Sequence, residues 1–214
     1  MVVLVLAAAA LGCAPGREVA PSGAPKLMMR SPGVYHFYRV EGGNARDISR
    51  SMQARRPWRD GSGSTGLTVW NVSWQARWVQ AGPTCRAEST DVWLQVDVFL
   101  PEWRPRSDAG PQVAADWQAY VAALAVHEAG HVGIASSAAS AVSRALDEFS
   151  APACIGMRAH MRAEVERILD EYRGRDRSYD RKTRHGATQG AHWPRSAGAP
   201  IAPAPDSAAS AGTE

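Results

Sequence analysis

Apolar and polar residues alternate with period two in three stretches before residue 101, and follow a helical period after residue 110. Residues 34–40 form a first expected strand. Residues 67–79 form a second, with Trp70, Val72, Trp74 and Ala76 on one face and Val69, Asn71, Ser73 and Gln75 on the other. A third, long or bent, covers residues 85–100 and is expected to stop at Pro101. Between the first two, residues 44–54 read as a helix capped by Asn44, with Ile48 and Met52 on one face. Gly110 and Pro111 open a long helical pattern that runs to about Phe149. Within it Trp117, Tyr120, Leu124, His127, His131, Ala135 and Ala138 recur at spacings of three or four. Gly130 and Gly133 interrupt that helix at about 1 kcal/mol each against alanine, which implies close approach of a strand or a substrate. After a turn at residues 150–152, a second helix runs to about Tyr172 with Met161, Val165, Ile168 and Tyr172 inward. The expected fold class is α+β, a small antiparallel sheet packed against a long antiparallel helix hairpin.

The ends of the chain differ from this middle. Residues 1–11 are apolar but too short to span a bilayer, which reads as an export signal ending near Cys13, without the usual basic start. The stretch Ala10-Leu11-Gly12-Cys13 resembles a lipoprotein cleavage box, making Cys13 a candidate lipid anchor, with ordinary secretion as the alternative. Residues 14–32 read as a flexible linker, residues 33–191 as one domain, and residues 192–214 as a disordered tail rich in Ala, Pro, Gly and Ser. With Cys13 set aside, Cys85 and Cys154 remain as a pair that an oxidising compartment would join into one disulfide. The net charge is only +3, and the densest basic run, residues 173–184, is interrupted by Asp176 and Asp180. That dispersal argues against a nucleic-acid partner, and one domain of this kind is expected to act as a monomer.

The chemistry concentrates in His127-Glu128-Ala129-Gly130-His131. Residues four apart share a helix face, so both imidazoles can direct a nitrogen at one zinc ion. Glu128 lies roughly 100° around the helix, from where its carboxylate can reach a metal-bound water as general base. The competing reading is a hydrogen-bonded histidine pair buried for packing alone, an expensive arrangement for two imidazoles beside a glutamate. The tryptophans at 58, 70, 74, 78, 93, 103 and 117 suggest core and sheet-face packing before a binding groove.

A catalytic zinc takes a third protein ligand and keeps an open position. A histidine six residues past the second would fall on Ser137, which excludes the metzincin pattern. Folding the hairpin at residue 151 brings His131 level with about residue 171, so Glu171 and, less well, Glu164 are candidates. Beyond the helix, residues 179–186 read as a glycine-bounded loop presenting Tyr179, Asp180 and His185 together.

Several separated motifs carry a resemblance: Tyr38 to Gly42, the strand Thr68 to Trp74, Cys85, Leu100 to Trp103, Trp117, the His127 to His131 motif, Cys154, and Tyr179 through His185-Gly186 to Ala191. In these the chain resembles the bacterial predicted secreted zinc-dependent proteases, the domain of unknown function numbered nine hundred and twenty-two. The resemblance covers residues 35–191. It implies an exported, zincin-like protein with His127 and His131 as zinc ligands and Glu128 as base. It also moves the choice of third ligand to His185, with Asp180 second and Glu171 third. Tyr179 then becomes a donor to the developing oxyanion, and Asp180 an acceptor that orients an imidazole. The expected function is an exported zinc metallopeptidase acting on a peptide or protein substrate. A zinc amidase acting on cell-wall peptide and a non-catalytic envelope binding module are the alternatives.

Overall fold

A computed structural model describes residues 26–29, 33–59, 61 and 63–194. The expected signal and most of the expected linker and tail lie outside them. The domain is α+β, but its sheet is mixed, a correction to the antiparallel expectation. Its backbone is β4 (Thr84–Trp103), and β3 (Leu67–Ala81) pairs antiparallel along one edge of it from Ala81↔Thr84 to Leu67↔Phe99. The opposite edge carries three short strands end to end. These are β5 (Ser150–Ala151), antiparallel, followed by β1 (Lys26–Met29) and β2 (Val34–Val40), both parallel to β4. Residues 26–29, read from sequence as linker, are therefore part of the sheet.

β3 and β4 meet through the two-residue turn Gly82-Pro83, where Gly82 has φ +60°, as the first position of a tight hairpin turn favours. The strand does not end at Pro101. It continues to Trp103, paired with β2 alone, because β3 has already ended opposite Phe99 and a proline there interrupts no ladder on that side. Val92, Leu94, Val96, Val98 and Leu100 of β4 are buried on the inner face. Each contributes about 1.5–3 kcal/mol relative to exposure.

Helix α1 (Ala45–Arg55) is capped by Asn44, whose side chain accepts from the Asp47 amide, and it buries Ile48 and Met52. Helix α2 (Pro111–Glu148), 38 residues long, lies on the inner face of the sheet and buries the stripe expected of it. Helix α3 (Met157–Thr183) packs on α2 through Met157, Met161, Val165, Ile168 and Leu169. It extends eleven residues beyond Tyr172, its continuation laced by exposed pairs Arg173–Asp170 and Arg175–Glu171. Trp103 and Trp117 are buried, and Trp117 and Tyr120 meet Trp193, which donates to the Ala45 carbonyl. Trp193, read from sequence as part of the tail, therefore packs on the domain. Cys85 and Cys154 form the expected disulfide, with Cα atoms 5.1 Å apart.

Candidate metal centre

Helix α2 brings His127 and His131 to the same face, both nearly inaccessible, and α3 crosses them with Asp176 and Asp180, themselves one turn apart. The two Nε2 atoms lie 3.3 Å from each other, and Asp180 Oδ1 lies 3.3 Å from that of His127 and 3.1 Å from that of His131. A zinc ion bound at about 2.0–2.1 Å with tetrahedral angles separates its ligands by about 3.3–3.4 Å, so these atoms have the spacing of one tetrahedral face. His127, His131 and Asp180 form the one such donor cluster among the described residues.

The opposite ring atoms are held as ligands require. His131 Nδ1 lies 2.8 Å from Asp176 Oδ1 and His127 Nδ1 lies 3.0 Å from Gln189 Oε1. With each Nδ1–H donating outward, each Nε2 turns a lone pair toward Asp180. Burial pulls the His127 pKa below its usual value. Burial acts the same way on His131, but the hydrogen bond and charge of Asp176, with the charge of Asp180, outweigh it and raise that pKa.

Glu128 is 2% exposed, and burial pushes its pKa from 4.5 to about 7 even though Thr68 donates to its Oε2 at 2.7 Å. Gly66, just before β3, faces it: a Cβ there would stand 3.0 Å from Glu128 Cδ and closer still to Oε1. Glu128, the two histidines and Asp180 line a common cavity of about 110 Å³, together with Thr68, Asp176 and His185. The site thus combines a face of three donors, a buried carboxylate that titrates near neutrality, and an opening.

Residues 35–186 match the family described as bacterial protein of unknown function, DUF922. The chain belongs to this family. No curated protein and no solved structure matches it. In this DUF922 domain the segment around Tyr179 is the end of α3, where sequence reasoning expected a loop. Tyr179 stacks on the His127 ring at 5.1 Å and 11°, and its hydroxyl is 3.3 Å from the His127 carbonyl and 3.0 Å from Gln189 Nε2. It does not line the cavity, and its ring occupies the space left by Gly130. The close approach expected at Gly130 is therefore made by this tyrosine, and Gly133 has no such neighbour.

His185 reaches the rim of the DUF922 site. Its Nδ1 lies 3.4 Å from Asp180 Oδ1, outside the compact donor cluster, and its side chain is 46% exposed. Glu171 and Glu164 are on the exposed side of α3, paired with Arg175 and Arg167. Gly186 (φ +82°) is required twice, for its backbone and because a Cβ would meet His127 Cγ at 2.9 Å. The functional contacts missed from sequence are Asp176, Gln189 and Thr68. The spacing of Asp176 and Asp180 was the available signal, had α3 been carried past Tyr172.

Proposed function

We propose that this DUF922 protein is a zinc-dependent hydrolase of the bacterial envelope, most concretely a metallopeptidase. The observation that carries the reading is the face of donor atoms from His127, His131 and Asp180 beside the buried carboxylate of Glu128. Those three residues would hold the ion, with Asp180 taking the role that the sequence resemblance gave first to His185. When bound, the ion supplies Lewis acidity toward a substrate carbonyl and makes a water acidic near neutral pH. Glu128, a buried carboxylate lining the same cavity as the three donors, accepts a proton from the attacking water and returns it to the leaving nitrogen. Thr68 fixes one oxygen of that carboxylate, leaving the other to face Gly66 and the cavity. Asp176 and Gln189 keep both imidazoles in the ligand tautomer. Tyr179 acts behind His127 as a packing wedge, so no oxyanion role is assigned to it.

Export is supported by the apolar residues 1–11 and by the Cys85–Cys154 disulfide. Among the described residues no helix is long and apolar enough to cross a membrane. The test is zinc content by elemental mass spectrometry, with hydrolysis of an unfolded protein, on the parent, His131→Ala, Asp180→Ala and Glu128→Gln. One zinc per chain is expected in the parent and in Glu128→Gln, lost in the other two, with turnover only in the parent. Zinc retained by Asp180→Ala but lost by His185→Ala would reverse the ligand assignment. Full occupancy without any turnover would favour the binding module.

A further inference from the structure

Beside the candidate cleft lies a second chamber of about 310 Å³, and the two share Ser64 and His185 on their walls. Their charges differ. The cleft is lined by Glu128, Asp176 and Asp180, whereas no Asp or Glu lines the chamber, which presents Arg184, His185 and His192 instead. Among the described residues Arg184 makes no ion pair and no side-chain hydrogen bond. Its position is built: Arg184 and His185 both have φ +52°, and their amides converge on the Asp180 carbonyl, His185 at 2.9 Å. Two successive side-chain-bearing residues with positive φ are uncommon. The residue that supplies the third donor atom therefore also anchors the turn that lines this chamber with an unpaired guanidinium. The remaining wall is fixed as well, since Tyr120 is hydrogen-bonded to Thr65 and Arg56 donates to the Ser64 carbonyl at 2.7 Å.

We propose that this chamber is a substrate subsite that selects a carboxylate close to the scissile amide, with Arg184 as the specificity-determining residue. It rests on the hydrolase reading above, and it adds the substrate class: acidic peptides, recognised through a side-chain or a C-terminal carboxylate. A guanidinium offers that group a paired, charge-assisted contact, and the walls supply no competing anion. The chamber is wide enough for a residue on one side of the amide while Glu128 and the donor cluster act on the amide itself.

The experiment measures binding to the full chain supplied with zinc and carrying Glu128→Gln so that no turnover occurs, this protein serving as parent, by fluorescence anisotropy of labelled hexa-alanine peptides. The probes are an amidated peptide with a central Glu, its Gln counterpart, and hexa-alanine with a free or amidated C-terminus. The parent should bind at least one carboxylate probe about tenfold more tightly than its neutral counterpart, the scale of one charge-assisted contact. The ratio should fall to about one in Arg184→Gln and recover in part in Arg184→Lys. Preference for the free terminus alone supports recognition of a chain end; preference for Glu alone supports an internal acidic position. Equal binding of all probes by the parent, no binding, or a ratio unchanged in Arg184→Gln overturns the proposal. A protein that keeps the acidic preference but holds no zinc would sink the hydrolase reading and leave the chamber an anion site.

Discussion

Gly130 and Gly133 lie less than a turn apart on α2 and should respond to alanine in opposite directions. Alanine gains about 1 kcal/mol over glycine inside a helix, and that gain is common to both positions. A Cβ at Gly133 meets nothing within 4 Å, so Gly133→Ala should be stabilised by about that amount. A Cβ at Gly130 would stand 2.8 Å from Tyr179 Cε1 and closer still to the phenol carbon and oxygen. Overpacking of this kind costs about 1–3 kcal/mol, which leaves Gly130→Ala between neutral and about 2 kcal/mol less stable than the parent. Because the propensity gain cancels between the variants, their difference reads the clash alone. At about 2–4 °C per kcal/mol for a domain of this size, Gly133→Ala should melt about 2–4 °C above the parent. Gly130→Ala should melt about 2–12 °C below Gly133→Ala, followed by far-UV circular dichroism. Since Tyr179 stacks on His127, Gly130→Ala should also bind zinc more weakly, measured by chelator competition. Equal melting temperatures in the two variants would refute the reasoning, showing that the phenol yields freely and wedges nothing.

Three further outcomes are expected. Cys85→Ser should lose about 4 kcal/mol in urea denaturation, the entropy of a closed loop with sequence separation 69, and reduction of the parent should match it; a loss below about 1 kcal/mol would mean β5 holds that corner unaided. Asp176→Asn should weaken zinc binding about 10–100-fold, while Asp170→Asn, on the exposed side of α3, should not; equal losses would remove the orienting role of Asp176. In the metal-free protein, Glu128 holds its proton more tightly folded (about 7) than unfolded (4.5). Its contribution is therefore complete below about pH 4.5 and lost as pH rises through about 7, a fall of about 3 kcal/mol. His131, also raised, slopes the same way and His127 the opposite, so the readout is the parent curve minus that of Glu128→Gln. A flat difference would show that the buried carboxylate is not perturbed.

The elements whose side chains alternate or recur toward a core were legible from the chain itself: β2, β3, most of β4, α1 and α2 lie within a few residues of expectation. Strand direction was not. Nothing in Val34–Val40 says that it runs parallel to β4, because that choice depends on partners more than sixty positions away. The end of α3 escaped for a different reason. Past Tyr172 its inward face consists of Asp176, Tyr179, Asp180 and Thr183, which meet imidazoles. Apolar periodicity fades where a helix turns from packing to chemistry, and Gly174 with the surrounding Arg and Asp residues completes the appearance of a loop. The histidine pair and Glu128 were legible because their spacing is set by a single helix. Asp180 ranked second because its placement depends on how two helices cross.

Helix α3 is secured at its two ends by unlike means. Its N-terminal end follows directly on Cys154, covalently joined to the start of β4, while its last turns are held to α2 through Asp176, Tyr179 and Asp180. The first attachment is permanent in an oxidising compartment and the second is reversible. A donor atom and the carboxylate that orients a neighbouring imidazole thus leave or return together as one cooperative segment. If the site takes the ion proposed for it, ion capture and the ordering of this helix end are one linked equilibrium. Under the proposed zinc reading, a scarcity of metal would be felt as a local loosening of the chain, with the sheet and the rest of the helix pair left standing.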